Sequence, residues 1–162
     1  MKLSEHVESA LHLCLLLAAL PPGRVLPAGR LAEYHALPAA SVAKQMQTLM
    51  DAGLVVGTTG RAGGYRLSRA PAAISVLAVV EAIQGQGPLF QCREIRRQGP
   101  CAEPSGAYRS RCGIAAVMDD AQEAWQAVLA ERTLAELAVT TYRKISPQVR
   151  DMARDWYRRR MR

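Results

Sequence analysis

The sequence has few aromatic residues and no long apolar run, and each shortage excludes a class of protein. One Phe, two Trp and five Tyr leave little material for the aromatic platforms on which single-stranded nucleic acid stacks. No apolar stretch reaches the roughly 18 residues of a membrane-spanning helix, so we expect no membrane partner. Paired catalytic acids and bases, a nucleophile motif and a phosphate-binding loop are also missing. We therefore expect neither an enzyme nor a small-molecule substrate.

The apolar run LHLCLLLAAL over residues 11–20 has the character of a secretory signal core, but its flanks do not fit one. Glu5 and Glu8 precede the run where a signal carries positive charge, and no small-residue cleavage site follows. A buried helix over residues 4–20, with Ser4 as its N-cap, explains the run better. We therefore expect a cytoplasmic protein, in which cysteines are more often metal ligands or sensors than disulfides.

Lys and Arg outnumber Asp and Glu in the sequence, and the excess positive charge is unevenly distributed along the chain. The formal net charge is +7, and residues 143–162 alone hold eight Lys or Arg against two Asp. A basic balance favours a polyanionic partner such as DNA. Because this tail by itself accounts for most of the excess, it indicates either a DNA contact or a solvated amphipathic helix that starts after Pro147.

The order of predicted elements is that of a winged helix–turn–helix. Apolar spacing, turn residues and helix breakers predict three helices, then two short strands around a glycine-rich tip. The predicted elements are 4–20, 28–35, 39–52, 54–56 and 65–67. The expected fold class is therefore mainly α with a two-stranded β wing. Residues 1–70 form its DNA-binding domain, and a domain used only for protein contacts is the alternative.

The third helix and the wing carry the candidate contacts to a double-stranded DNA operator. Short polar side chains on the third helix suit the major groove, and the wing glycines let the backbone approach phosphate. Lys44 is expected to reach phosphate or guanine, and Gln45 is expected to read adenine. The candidate DNA-binding residues are Ser41, Lys44, Gln45, Thr59, Arg61 and Tyr65.

The rest of the chain divides into four segments. They are a connecting helix over 71–84, a cysteine loop over 85–112, a long helix over 113–140 and a basic tail over 141–162. The long helix has an apolar stripe with little to cover it in one small domain, so it predicts pairing with a second subunit as a homodimer. Packing of this stripe against its own domain is the alternative.

Three cysteines lie in the loop, with eight residues between Cys92 and Cys101 and ten between Cys101 and Cys112. No pair has the CxxC spacing of zinc ribbons or thioredoxin-like sites. The arginines around the loop favour thiolate, the soft ligand that iron–sulfur clusters take. Spacing alone indicates a metal or redox site, and a thiol or zinc protein without a cluster remains open. Cys14, inside the apolar run, is expected to be a core residue.

Several segments together resemble the IscR/NsrR/RsrR family of winged-helix repressors over residues 1–140. The segments are MKLSEHVESALH, LAEYHALPAASVAKQMQTLMDAGLV, GRAGGYRLSRAP and the cysteine loop before a long helix. The resemblance implies a homodimeric bacterial transcription regulator, expected to be a repressor, whose DNA affinity depends on an iron–sulfur cluster.

Within this family the cysteine spacing is most similar to the RsrR type. IscR-like members place three cysteines closer together, with a histidine where this chain has Ile114. The RsrR type holds a 2Fe–2S cluster by two cysteines of one subunit and a Glu and a His of the other. The matching positions are Cys92, Cys112, Glu8 and His35. Cys101 has no counterpart and is a spare thiol, a substitute ligand or a sign of another cluster, such as 4Fe–4S.

The two ligands implied outside the loop also have simpler explanations. Glu8 is equally a solvated first-turn carboxylate that faces His12 four residues later. His35 is equally a residue that ends the second helix, while His12 and His6 are spare ligand candidates. If His35 binds the cluster, its place one element before the recognition helix would link cluster charge to the position of that helix.

Overall fold

Seven α-helices and a two-stranded antiparallel sheet form the part of the chain that the computed structural model describes, residues 4–60, 62–100, 102 and 108–160. Two expected site residues, Arg61 and Cys101, lie outside those ranges. The elements are α1 (Glu5–Ala18), α2 (Ala28–His35), α3 (Ala39–Asp51), β1 (Val55–Thr58), β2 (Gly64–Leu67), α4 (Val76–Gln84), α5 (Gly113–Ala130), α6 (Leu134–Lys144) and α7 (Pro147–Arg160).

Helix α1 begins where the sequence predicts and lies at the centre of the core. The Ser4 side chain accepts a hydrogen bond from the backbone N–H of His6 at 3.2 Å, which confirms Ser4 as the N-cap. Cys14 is fully buried among the leucines of the run, and burial raises the pKa of its thiol to about 12. This thiol is a protonated core side chain, which confirms the sequence prediction.

Helices α2 and α3 form the helix–turn–helix. Ala36 ends α2 in the left-handed conformation at φ 51°, and Pro38 precedes the first residue of α3. Proline disfavours helical backbone in the residue before it, so α2 cannot run on into α3. The fully buried apolar side chains of α3 are Val42, Met46 and Leu49. They recur at helical spacing and hold one face of α3 against the core.

The wing is an antiparallel hairpin in which Val55 lies opposite Leu67. A third piece of backbone joins it, because Leu26 and Tyr65 exchange two N–H···O hydrogen bonds of 2.9 Å. Gly64 permits this approach: a Cβ atom there would lie 2.6 Å from the carbonyl carbon of Leu26. The expected fold class, mainly α with a two-stranded wing, is confirmed.

The segment expected as one long helix over 113–140 is instead two helices, α5 and α6. The helix is interrupted before Thr133, because Thr133 is the N-cap of α6 and forms a capping box with Glu136. The backbone N–H of Leu134 donates to the carbonyl oxygen of Ile74 at 2.9 Å, and both side chains are fully buried. This tether turns α6 back onto α1, so α5 alone corresponds to the expected dimerisation helix.

Helix α7 docks on the first two helices. The hydroxyl of Tyr157 donates to the carbonyl oxygen of Leu16 at 2.9 Å. The ring of Trp156 meets the ring of Tyr34 edge to face, with 4.8 Å between centroids. The helix expected after Pro147 is confirmed, and these aromatic side chains fix its C-terminal half to the DNA-binding unit.

Candidate DNA-binding surface and cysteine site

Helix α3 presents a polar outer face to solvent. Lys44 and Gln47 are exposed, whereas Ser41 and Thr48 are partly buried. The Gln47 amide donates to the Asp51 carboxylate at 2.8 Å, and no hydrogen bond or ion pair among the described residues engages the Lys44 ammonium group. A helix with one buried apolar face and one exposed polar face has the form that enters a major groove about 12 Å wide.

Gln45 does not lie on that outer face, contrary to the expectation that it reads a base. Its side chain is 5% exposed. Its amide nitrogen donates to the Ser41 hydroxyl at 3.2 Å, and its amide oxygen accepts from the Ser9 hydroxyl at 2.9 Å. Position 45 is three residues beyond Val42 and four before Leu49, so helical spacing places it on the buried stripe. That spacing is the signal in the sequence that identifies Gln45 as an inward-facing residue.

The wing presents Thr59 at its exposed tip. The adjacent Thr58 hydroxyl fixes the tip, because it accepts from the backbone N–H of Gly64 at 3.3 Å. Tyr65 is partly buried and packs beside Met50 and Gly57, so its ring faces α3. Arg61, the basic residue expected here, lies outside the described residues. The structure therefore places Thr59 outward and Tyr65 between the wing and α3.

Cys92 and Cys112 line one cavity of about 360 Å³. Arg96 brings the two ends of the loop together: it donates to the Glu94 carboxylate at 2.5 and 2.8 Å and to the carbonyl oxygen of Ser110 at 3.4 Å. These partners lie two residues from the respective cysteines. Two thiols that are distant in sequence therefore face the same space.

The position of Cys112 favours its thiolate form. Cys112 is the N-cap residue of α5, and the nearby backbone N–H groups of Ala115 and Ile114 at the start of that helix lower the pKa of its thiol. The guanidinium of Arg96 lowers this pKa further. Thiolate is the form that binds soft metals, so the surroundings of this cysteine favour metal binding.

Glu8 and His35 do not line the cysteine cavity. Glu8 is exposed on α1. The His35 Nε2 atom is buried and has no hydrogen-bond partner among the described residues. The His35 ring centroid lies 5.1 Å from that of the exposed His12. Burial lowers the pKa of His35, and the neighbouring His12 lowers it further. Within one chain, the two cysteines line the same cavity, whereas the other two implied ligands, Glu8 and His35, lie outside it.

No group of three or more Cys, His, Asp or Glu side chains suited to a metal ion occurs among the residues that the structure describes. One chain therefore offers two thiols at the cysteine cavity. An iron–sulfur cluster takes four protein ligands, so Cys92 and Cys112 fit half of such a site. Two further ligands are needed, and Cys101, which is outside the described ranges, could supply one of them at most.

Helix α5 has one broad apolar face whose residues have different surroundings. Trp125 and Leu129 pack on α4 of the same chain. Packing against its own domain was the alternative to dimerisation for this helix. Ile114 and Val117, by contrast, are 66% and 65% exposed, and Met118 and Val128 are exposed apolar residues of the same helix. These four exposed residues, called the α5 stripe, are free to meet a partner. None of the helices in the described part of the chain has the length and apolar character of a membrane span.

Comparisons with known proteins agree on one family. Among curated relatives, the putative regulator YffB of Lactococcus lactis, described as HTH-type, is 30% identical over 141 residues, which is 87% of this chain and 89% of YffB. The transcriptional regulator NsrR of Bacillus subtilis is 28% identical over 137 residues, covering 85% of this chain and 90% of NsrR.

Solved structures show the same fold. IscR of T. potens superposes with a TM-score of 0.67 at 20% identity, over 90% of this chain and 93% of IscR. The oxidised form of Staphylococcus aureus CymR gives a TM-score of 0.63 at 22% identity, over 85% of this chain and 96% of CymR. The family model for Rrf2, described as an iron-dependent transcriptional regulator, matches residues 3–140, which contain the helix–turn–helix, the wing and the cysteine loop. The chain belongs to the Rrf2 family of DNA-binding transcription regulators and is not an enzyme.

Proposed function

We propose that this chain is a cytoplasmic homodimeric repressor whose operator affinity depends on an iron–sulfur cluster bound by Cys92 and Cys112. The observation that carries the proposal is the shared cavity of these two cysteines, in which the pKa of the Cys112 thiol is lowered. A 2Fe–2S cluster is preferred to 4Fe–4S, because the cysteine spacing is most similar to that of the RsrR type, which holds a 2Fe–2S cluster.

The remaining ligands come from the partner subunit in this proposal. Glu8 and His12 are both exposed and lie one turn apart on α1, so their side chains share a face that a second chain can approach. His35 lies beside His12, with its Nε2 atom buried. Glu8 and His35 are the implied second pair, and the exposed His12 is the substitute if the His35 ring does not turn outward.

The cluster, when bound, supplies a one-electron change of charge at the junction of two subunits. The chain's own residues carry that change to DNA. His35 is the last residue of α2, and only the left-handed Ala36 and two further residues separate it from α3. A small displacement of α2 therefore moves the recognition helix. A coupling free energy of about 1–3 kcal/mol, or about 5–150-fold in operator affinity, is enough to regulate a promoter.

The DNA-binding surface in this proposal is the exposed face of α3 together with the wing. Lys44 and Ser41 approach the major groove from α3, while Thr59, Arg61 and Tyr65 belong to the wing. Gln45 is left out because its amide is used inside the protein. The α5 stripe pairs the two copies, so that two recognition helices face two operator half-sites.

The decisive experiment is operator binding by one anaerobic preparation in its oxidised, reduced and cluster-free forms. We expect a coloured protein with about two irons and two sulfides per chain, and different affinities for the three forms. Equal affinity in all three forms, or a colourless protein that contains zinc alone, would contradict the proposal. The latter result would favour a thiol- or zinc-based regulator that acts through protein partners, which the lowered pKa of Cys112 also permits.

Substitutions test the ligand assignment. Cys92→Ala and Cys112→Ala should each abolish the visible absorption of the cluster. Cys101→Ala, in the same loop, is the matched control and should leave most of the absorption. Bleaching by Cys101→Ala would show that the cluster is not held by two loop cysteines per chain.

A further inference from the structure

A second cavity, larger than the cysteine cavity, lies beneath the C-terminal helix. Its volume is about 860 Å³, and its walls come from α1, α2, α6 and α7. Binding sites for small organic molecules have volumes of about 300–1,000 Å³. Helix α7 lies beyond residues 3–140, the range that matches the family. The cavity is therefore completed by an element outside the part of the chain that matches the family.

The α7 wall is held in place by specific contacts. Besides the contacts of Trp156 and Tyr157, the Arg160 guanidinium donates to the Glu33 carboxylate of α2 at 2.5 Å. At the other end, Arg150 donates to the carbonyl oxygens of Ile145 and Arg143, both at 3.2 Å, across the α6–α7 turn. Both ends of α7 are tied to neighbouring elements, so the helix is a fixed wall of a cavity that is partly open to solvent.

The chemistry of the lining selects one class of ligand. Most of the wall is aliphatic or aromatic, and Leu15, Val139 and Tyr142 are typical of it. Four arginines, Arg143, Arg150, Arg154 and Arg158, also line the cavity, and no Asp or Glu among the described residues does. Arg154 and Arg158 pair with aspartates of their own helix, whereas Arg143 and Arg150 have no carboxylate partner in the described part of the chain. The lining is therefore apolar with an uncompensated positive charge.

One buried polar atom in the wall also lacks a partner. His35 lines this cavity, and its Nε2 atom is buried without a hydrogen bond among the described residues. A buried nitrogen of this kind loses its hydrogen bond to water without a replacement, which is unfavourable. A ligand with a polar group beside its apolar body would supply that bond.

We propose that this cavity binds an amphipathic organic anion, an apolar body that carries one anionic group, as an effector distinct from the cluster. The apolar walls take the body, and Arg143, which has no carboxylate partner in the described part of the chain, takes the charge. A cation would find no Asp or Glu among the described lining residues, and a neutral molecule would make no ion pair with Arg143. Cys92 and Cys112 do not line this cavity, but His35, the implied cluster ligand, does, so an effector that bonds His35 and a cluster ligated by the same His35 exclude each other.

Titration of the full-length protein with the fluorescent dye anilinonaphthalene sulfonate, which has an aromatic body and one sulfonate, tests the site. Ala153→Trp places a large side chain from α7 into the cavity and should weaken dye binding at least about tenfold. Met152→Trp is the matched control, because Met152 is the exposed neighbour and does not line the cavity. Equal dye affinity in the two variants would overturn the proposal.

The charge requirement has a separate test. Arg143→Gln should weaken dye binding, whereas Arg159→Gln, on α7 outside the cavity lining, should not. In competition, dodecanoate should displace the dye, and uncharged dodecanol should displace it much less. Similar displacement by both compounds, or equal effects of the two arginine substitutions, would overturn the anionic class. Arg143 is exposed, so this arm is informative even if Ala153→Trp does not fold.

A second copy of the chain is the competing occupant of this face. Analytical ultracentrifugation of the same variants distinguishes the two. We expect the Ala153→Trp and Met152→Trp proteins to have the same oligomeric state. Dissociation by Ala153→Trp alone would show that the cavity is part of an interface between copies, and the effector proposal would then be wrong.

Discussion

Cys112 and Cys14 show how burial and helix position set the chemistry of a single residue. The N-terminus of α5 lowers the pKa of the Cys112 thiol, whereas burial raises that of Cys14 to about 12. A lowered pKa means that the reactive thiolate persists to lower pH. These two cysteines of one chain therefore have opposite reactivities.

Alkylation of the cluster-free protein by iodoacetamide should reveal this difference. Cys112 should react with a pH midpoint below that of an ordinary thiol, and Cys14 should stay unmodified until the protein unfolds. Mass spectrometry of the cysteine peptides over a pH series measures both rates. A midpoint for Cys112 at or above the ordinary thiol value would contradict the role of the α5 N-terminus.

Lys44 is the residue on which the electrostatic part of DNA binding is most directly tested. Lys44→Ala should weaken operator binding and reduce the slope of log K against log salt concentration by about one. Lys144→Ala, which removes the same charge from the end of α6, is the control and should leave the slope unchanged. Fluorescence anisotropy at several salt concentrations gives the slope. If both variants keep the parent slope, Lys44 does not contact phosphate.

Gln45 should matter for stability and not for base recognition. Gln45→Ala removes the hydrogen-bond partner of the Ser9 and Ser41 hydroxyls and should lower the free energy of unfolding by about 1–3 kcal/mol. Gln47→Ala, on the exposed face of α3, should change it by less than about 0.5 kcal/mol. Urea denaturation measures both. A Gln45→Ala protein of parental stability but altered operator preference would restore the base-reading role.

Among the elements, the wing depends on one glycine. Gly64→Ala would place a Cβ atom 2.6 Å from the carbonyl carbon of Leu26, which is backbone and cannot turn aside. The variant should lose about 1–3 kcal/mol of stability and loosen the hydrogen bonds between Leu26 and Tyr65. Amide exchange at these two residues measures that loosening.

Gly29→Ala is the matched control for this prediction. Gly29 lies in α2, and a Cβ atom added there would have nothing within 4 Å, so alanine should stabilise the protein by up to about 1 kcal/mol. Equal stability of the Gly64→Ala and Gly29→Ala proteins would mean that the wing does not need the close contact.

The break between α5 and α6 is a second feature of the elements that depends on a distant contact. Apolar periodicity continues from residue 114 to 138, so local sequence favours one helix. The backbone near Ile74 pairs with residues 132–134, and Leu134 is buried as a result. The Thr133 to Glu136 capping box marks the start of α6 in the sequence, but only the packed structure shows that the chain turns there.

For the molecule as a whole, the α5 stripe predicts a dimer. Val117→Asp introduces a charge at a position that is 65% exposed in one chain and buried in the proposed dimer. The variant should sediment as a monomer and lose operator affinity. Ala127→Asp, on another face of α5, should remain dimeric. A Val117→Asp protein that stays dimeric would place the interface elsewhere.

Local spacing, caps and breakers were enough to predict the fold class, the start of α1 at Ser4, the core position of Cys14 and the order of the helix–turn–helix. Packing between distant segments, by contrast, ends α5 before Thr133 and brings Cys92 and Cys112 to one cavity. It also places α7 over a second cavity. Each of these features depends on contacts between residues far apart in the chain, and periodicity within one segment carries no record of them.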